Sequence, residues 1–395
     1  MTFSKIDIFC HVVDNFGDIG VVYRFARALK ASFPDVTLRV FVDDLATFKV
    51  ICSPIDLDKT VQEHESIIWI DSSLLDEPLV TQLGTAELVF ETFACEIPPV
   101  YMKHAYYEST LLINLEHLSA EEWIEGYHCK ESLLPEGTLR KFYFMPGFTE
   151  NTGGLIPNIT SPIAISSSQD RIETIRSLIP DSIHTYINNP GSTILGSVFT
   201  YVRNLDNLIN DCSMLSGSVT LLAFGEKTIR SFRKSLQSRG SVNKSGQVHT
   251  LKNCTIIEMP FIPQQNYDQL LQLMDFNIVR GEDSLTRAVL SGKPFIWNAY
   301  LQDNCYQVVK VKALCSTMQR WIVDSEDFEE YQRLMIAFNS APSESDTYQT
   351  SESFQYFLNN LKKYEHSINE MSYFMTRNCN LLKKIATFIR DYPNI

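Results

Sequence analysis

Apolar and β-branched residues in this chain fall in short blocks, and the stretches between them repeat apolar positions every three or four residues. Ile6 to Val13 is a block of the first kind and predicts a strand. Val21, Val22, Phe25, Ala26 and Leu29 share one face of a helix predicted over Gly20 to Ser32, and Val36 to Val42 predicts a second strand. This βαβ opening favours a parallel sheet. Strand-like runs recur at Ser66 to Ile70, Leu88 to Glu91 and Leu111 to Asn114, and an irregular stretch runs from Asn151 to about Ser168. A second series follows at Thr193 to Val198, Val219 to Phe224, Cys254 to Met259, Phe276 to Val279 and Pro294 to Asn298, with amphipathic helices between. The polar segment Asn339 to Ser353 predicts a loop, and a last helix is predicted over Ser372 to Arg390.

The expected architecture is α/β, with two doubly wound, Rossmann-like halves facing one another and a ligand at the cleft beyond the strand C-termini. The N-terminal domain is expected to end between about 165 and 190, with boundaries set at 1–185 and 186–370. Residues 371–395 form a C-terminal helix, which carries Phe374, Leu381, Leu382, Ile385, Phe388 and Ile389 and is expected to pack back on the first domain.

Composition adds limits. The 395 residues, 44% apolar and 21% charged, suit two ordinary domains with sizeable cores. The start of the chain interrupts its apolar residues with Lys5 and Asp7, and no apolar run approaches the roughly 18 residues of a membrane span, so the protein is read as cytoplasmic. A net charge of −13 disfavours nucleic-acid binding, which relies on clustered Lys and Arg, and suits docking on a basic protein face, with solubility alone as the alternative. Nine singly scattered cysteines and eight histidines show no metal-type spacing, so reduced thiols and no bound metal are expected.

Three segments carry candidate chemistry. In His11-Val12-Val13-Asp14-Asn15-Phe16-Gly17-Asp18-Ile19-Gly20, between the first strand and first helix, two carboxylates stand near a helix N-terminus, where a catalytic base belongs. The spacing Gly17-x-x-Gly20 lacks the dinucleotide fingerprint. A plain helix cap at Asp18 remains the alternative. In Arg280-Gly281-Glu282-Asp283-Ser284, a strand-to-helix turn offers backbone N–H groups, a guanidinium and a hydroxyl to an anion, which suggests a diphosphate seat. Glu282 and Asp283 could take sugar hydroxyls or cap the helix, and Ser291-Gly292-Lys293-Pro294 then stops that helix. In Met259-Pro260-Phe261-Ile262-Pro263-Gln264-Gln265, a ring and an amide suit base recognition, with core packing of Phe261 as the alternative.

Together these segments resemble the protein-arginine rhamnosyltransferases that modify elongation factor P, the EarP family. Glu91-Thr92-Phe93-Ala94-Cys95, Leu118-Ser119-Ala120-Glu121-Glu122 and Gly147-Phe148 with Gly153-Gly154-Leu155 add to the match, in family order across most of residues 6 to 300. The resemblance implies a glycosyltransferase B-type fold and an inverting transfer of L-rhamnose from dTDP-β-L-rhamnose to an arginine of elongation factor P, by a monomer without metal. It implies Asp18 as general base, Asp14 as its supporting carboxylate, and Glu282 and Asp283 as donor ligands needed for activity. Phe261 and Gln264 would hold thymine, Arg280 and Ser284 would face the diphosphate, and Phe199 and Tyr201 would complete the nucleotide pocket. Asn15, Phe16, Gly17 and Gly281 would line the donor site. The chain departs from the family at Asn114-Leu115-Glu116-His117, where the family has Asn-Trp-Glu-Tyr, and at Tyr300-Leu301-Gln302-Asp303, where it has a stretch containing Tyr-Pro-Gln. The alternatives are a nucleotide-sugar epimerase-like enzyme without a protein acceptor, and a non-catalytic nucleotide-sugar or partner-binding protein.

Overall fold

A computed structural model describes residues 3–13, 16–159, 163–187, 193–237, 247–340 and 353–392. The chain forms two compact units, one of Met1–Ile159 with Met375–Ile395 and one of Thr160–Phe374.

In the first unit β1 (Lys5–Cys10), α1 (Phe16–Ser32), β2 (Thr37–Val42), α2 (Leu45–Ile51), β3 (Val61–His64) and β4 (Ile67–Asp71) come first. They are followed by α3 (Glu77–Leu83), β5 (Leu88–Thr92), α4 (Pro99–Glu108), β6 (Leu111–Leu115), α5 (Trp123–Tyr127), β7 (Glu131–Ser132) and β8 (Arg140–Phe144). The sheet runs β3-β4-β2-β1-β5-β6-β8-β7, parallel except for the edge strands β3 and β7. β1 lies in its middle and is covered on both faces: Ile6 and Ile8 join one core cluster, Phe9 the other. A carboxylate sits in this strand too. Asp7 accepts from Arg39 Nε (2.6 Å) and Nη2 (2.5 Å) and from the Tyr101 hydroxyl. Arg39 Nη1 and Nη2 also donate to the carbonyls of Leu83 and Gly84, so every nitrogen of the buried guanidinium has a partner, the condition under which such a pair is tolerated.

The second unit contains α6 (Ser168–Leu178), β9 (Thr193–Val198), α7 (Asp206–Met214), β10 (Ser218–Phe224), α8 (Glu226–Gln237), β11 (Val248–Leu251) and β12 (Cys254–Met259). Next come α9 (Gln264–Leu273), β13 (Phe276–Arg280), α10 (Gly281–Ser291), β14 (Phe295–Asn298), α11 (Tyr306–Met318), α12 (Ser325–Ser340), α13 (Gln355–Asn359) and α14 (Leu361–Asn378). Its sheet runs β11-β12-β10-β9-β13-β14, parallel apart from β11. Gly292, in the left-handed region at φ 71°, ends α10 where the sequence predicts a stop.

Three expectations change. The first division falls at 159/160 and not at 185/186, because α6 puts Ile172, Ile175 and Leu178 into the core of the second sheet beside Leu195, Leu222 and Ile257. The second falls at 374/375, not at 370/371. The helix expected over Ser372 to Arg390 is two helices, α14 and α15 (Leu381–Asp391). Between them Cys379 and Leu381 pair with the backbone of Leu155, at 2.6 and 2.9 Å, and Asn380 caps α15 by accepting from Lys383 N. α15 packs back as expected, with Leu381, Leu382, Ile385, Phe388 and Ile389 in the core of the first sheet. Of the expected loop at 339–353, Asn339 and Ser340 close α12, and 341–352 lie outside the described residues. All nine cysteines are free, and seven of them are buried.

His128 follows α5 edge-on to Phe144, and its Nδ1 accepts from Met145 N at 3.2 Å, which requires the neutral ring. Burial, with the charge of Lys384, pushes its pKa down to about 4 from the usual 6.5. The unfolded chain therefore takes up this proton first, and the stability it withholds is lost as pH falls from about 6.5 toward 4. Between pH 7 and pH 5, wild-type protein should lose about 2 kcal/mol more of its unfolding free energy than His128→Gln. Denaturant titrations at the two pH values check this, and equal losses would contradict it.

Candidate active site

Both units place their candidate residues where strands hand over to helices. In the first unit, Phe9 pairs with Phe41 of β2 and Glu91 of β5, so the exits of β1, β2 and β5 leave one edge of the sheet. The segment after β1 is pinned from two sides. Asp43, at the exit of β2, accepts from Val12 N (2.9 Å) and pairs with the His11 ring, and Asp18 accepts from Val13 N at 2.9 Å. α1 begins at Phe16, four residues before the predicted start, so Asp18 lies within the first turn of the helix and is 8% exposed. Phe16 and Gly17 are exposed. Asp14 and Asn15 lie outside the described residues. Behind this loop, burial first, then Cys95 and the carboxylates of Asp18 and Asp43, hold the Cys10 thiol well above its ordinary pKa. The exit of β1 is thus a carboxylate-lined edge, suited to receive a cation or take up a proton.

In the second unit the exits of β9 and β13 build a cradle. β13 pairs with β9, and Phe199 N donates to Ile278 O at 2.8 Å, which holds the Phe199–Tyr201 segment beside Arg280. The Arg280 guanidinium lies 4.0 Å from the Phe199 ring centroid and 5.2 Å from that of Tyr201, and donates to Thr200 O at 3.1 Å. A delocalised cation held on ring faces is oriented before any ligand arrives. Gly281 turns the chain into α10 at φ 65°, a region costly for residues with a Cβ. Its carbonyl accepts from Trp297 Nε1 at 2.9 Å.

The remaining expected residues are placed less directly. The Ser284 hydroxyl donates to the Arg280 carbonyl one turn back, so it braces the first turn of α10. Glu282 is 3.8 Å from Lys310 Nζ, and Asp283 is 3.8 Å from Arg287 Nε. Gln264 opens α9, and Phe261, in the turn before it, is 66% exposed, which excludes the core-packing reading for that ring. Leu115 is buried in the first sheet, the His117 ring stacks on Phe93, and Leu301 is exposed. Gln302 N donates to Gln307, and Asp303 begins a short 3-10 turn.

The structure adds residues that sequence reasoning missed. Tyr267 stands edge-on to Phe199 and Phe224, Tyr300 edge-on to Tyr201, and Lys227 lies 5.5 Å from the Tyr201 ring centroid. Their only sequence signal was position, each on or just past a strand exit. Asp43 had the same signal in the Val42-Asp43-Asp44 strand end. Among the described residues, no three His, Cys, Asp or Glu side chains are grouped to hold a metal ion, and no helix is long and apolar enough to cross a membrane.

The profile of the family described as Elongation-Factor P (EF-P) rhamnosyltransferase EarP matches residues 6–390. The chain belongs to the EarP family. Among its relatives, a protein-arginine rhamnosyltransferase of Pseudomonas putida is 33% identical over 331 residues, 81% of this chain and 83% of that one. Another, from Neisseria meningitidis serogroup B, is 29% identical over 390 residues, 98% of this chain and 97% of the other. A solved structure presented as the basis of EarP-mediated arginine glycosylation of translation elongation factor EF-P covers 99% of both chains, with a TM-score of 0.63 at 20% identity. That likeness confirms the fold: two Rossmann-like units of the glycosyltransferase B type, with the C-terminal helix returned to the first.

The EarP cradle in the second unit makes a direct prediction. A Cβ at Gly281 would stand 3.3 Å from the Tyr201 hydroxyl on a left-handed backbone. Gly281→Ala should cost about 1–2 kcal/mol of unfolding free energy. Denaturant titration checks this, and a wild-type value would show that the turn tolerates a side chain.

Proposed function

We propose that the chain transfers L-rhamnose from dTDP-β-L-rhamnose to an arginine side chain of EF-P, with inversion at the anomeric carbon. The observation that carries this reading is the EarP profile match over residues 6–390, which takes in both strand exits just described.

The chemistry sets a problem. A guanidinium is a poor nucleophile, because its charge is delocalised and its pKa exceeds about 12. In this reading Asp18, supported by Asp14, hydrogen-bonds the acceptor guanidinium and localises electron density on one terminal nitrogen. That nitrogen attacks the anomeric carbon from the face opposite dTDP. The C–N bond forms as the bond between the anomeric carbon and the diphosphate oxygen breaks, and the nitrogen's proton passes to Asp18. The products are rhamnosylated arginine and dTDP.

The leaving diphosphate gathers negative charge. Arg280, fixed on Phe199 and Tyr201, and the N-terminal turn of α10 supply opposing charge without reorganising, so the reading assigns no role to a metal. Glu282 and Asp283 take the hydroxyls of the sugar, with Asn15, Phe16, Gly17 and Gly281 beside the donor. Phe261 and Gln264 take the thymine, and the exposure of Phe261 leaves its ring face available for stacking. Ser284 acts by shaping the turn that carries Arg280. The reading places a monomeric enzyme in the cytoplasm.

Asp18→Asn keeps an oxygen for the Val13 N–H and removes the base. Assayed in the presence of a chelator, the variant should fold and bind dTDP like wild type but transfer rhamnose at least about a hundredfold more slowly. The wild-type rate should be unaffected by the chelator. Near-wild-type turnover by the variant would reduce Asp18 to a brace for its loop, and loss of wild-type activity on chelation would refute the metal-free diphosphate seat.

A further inference from the structure

In the second unit the sheet order sets a line of strand exits. The exit of β12 leads to Phe261 and Gln264, and the exits of β9 and β13 carry Phe199, Tyr201 and Arg280. β10 runs between β12 and β9, so its exit lies between the two groups. From β12 to β13 is three strand spacings, about 15 Å. A nucleoside diphosphate laid from Phe261 to Arg280 therefore passes the exit of β10.

What stands at that exit is Gly225-Glu226-Lys227-Thr228, where α8 begins. It repeats the form of Gly281-Glu282-Asp283-Ser284 at the start of α10: a left-handed glycine, at φ 77° here, then an acidic residue, with a hydroxyl in fourth place. The difference is a lysine where the other turn has an aspartate. A Cβ on Gly225 would stand 2.7 Å from Cε2 of Phe199, so the chain leaves β10 directly against that ring. Thr228 then latches the two exits together. Its hydroxyl accepts from Thr200 N at 2.8 Å and donates to Thr200 O at 3.2 Å, and the side chain is fully buried. The same Thr200 carbonyl accepts from Arg280, so α8, the Phe199–Tyr201 segment and Arg280 meet at one group.

Lys227 stands next to this latch. Its ammonium lies 5.5 Å from the Tyr201 ring centroid, and the Arg280 guanidinium lies 5.2 Å from the same centroid. Two cations attend one ring. Among the described residues the Lys227 ammonium has no carboxylate partner, and its side chain is exposed. Glu226 does not share its face of the helix, because neighbours in sequence do not face each other. An unneutralised cation on the path between a base seat and an arginine calls for an anion, and an ammonium binds phosphate as a compact point charge on a flexible stem. As the sugar leaves, the terminal phosphate of dTDP gains roughly one further negative charge.

We propose that Lys227 is a further donor-binding residue, its ammonium pairing with the diphosphate of the dTDP-sugar beside Arg280. This rests on the donor proposed above. Arg280 is held in place by its rings, while the exposed Lys227 can follow the charge onto the departing phosphate.

Lys227→Met keeps the stem and removes the charge, and Lys227→Arg restores it. The test measures calorimetric affinity for dTDP over a salt series, the kinetics of rhamnose transfer to EF-P and thermal midpoints, for both variants and wild type. Lys227→Met should bind dTDP at least tenfold more weakly with a flatter salt dependence, and lose at least as large a factor in kcat/KM for the donor. Lys227→Arg should recover most of both, and the midpoints of both variants should match wild type, because the side chain is exposed. Affinity and kcat/KM within twofold of wild type in Lys227→Met would overturn the assignment, as would a lowered midpoint or no recovery in Lys227→Arg. Wild-type protein that binds no dTDP would overturn the donor itself and Lys227 with it. Binding of dTDP that depends on Lys227, without transfer to EF-P, would overturn the transfer and leave the phosphate contact standing.

Discussion

A parallel strand buried on both faces can release its chain into a helix only at its C-terminal end, and both candidate sites follow from that constraint. β1 is enclosed by β2 and β5 and covered by two core clusters, so the chain must clear Cys10 before it can turn. The backbone N–H groups of Val12 and Val13 in that short excursion need partners, and Asp43 and Asp18 supply them. The need to satisfy a loop backbone thus puts carboxylates at this edge of the sheet. In the second unit, β13 gives way to α10 without a spacer, and the left-handed Gly281 makes the tight turn possible.

The second unit holds a positive group in a fixed place. An arginine in water samples many rotamers, and ordering it costs entropy. Arg280 is already ordered by the Phe199 and Tyr201 rings and the Thr200 carbonyl. The hydroxyl of Ser284 and the indole of Trp297 hold the two carbonyls that frame this turn. Such side chains act by keeping other groups still.

Much of the fold was legible from periodicity. β9 and β12 have the predicted bounds, and most positions in both are buried. Boundaries set by tertiary pairing were not legible. Nothing local to Cys379-Asn380 reveals that Leu155 breaks a helix there, and nothing local to Ser168–Leu178 reveals which sheet its apolar face will cover. At the candidate site, Arg280 and Gly281 stood out because a glycine-bearing strand-to-helix turn is itself a signal, and the structure sets Phe199 and Tyr201 beside them. Asp43, Lys227, Tyr267 and Tyr300 gave no comparable signal, since sheet order brings them there. Ser284 was legible as a polar residue in the right turn, but not as a donor to its own helix.

The central claim is the proposed transfer of rhamnose from dTDP-β-L-rhamnose to an arginine of EF-P. Intact-mass spectrometry of purified EF-P incubated with this protein and dTDP-β-L-rhamnose, followed by fragmentation to locate the change, tests it most directly. The account predicts a gain of one deoxyhexose on a single arginine, absent when either the protein or the donor is left out. Unchanged EF-P, or sugar on any side chain other than arginine, would contradict it.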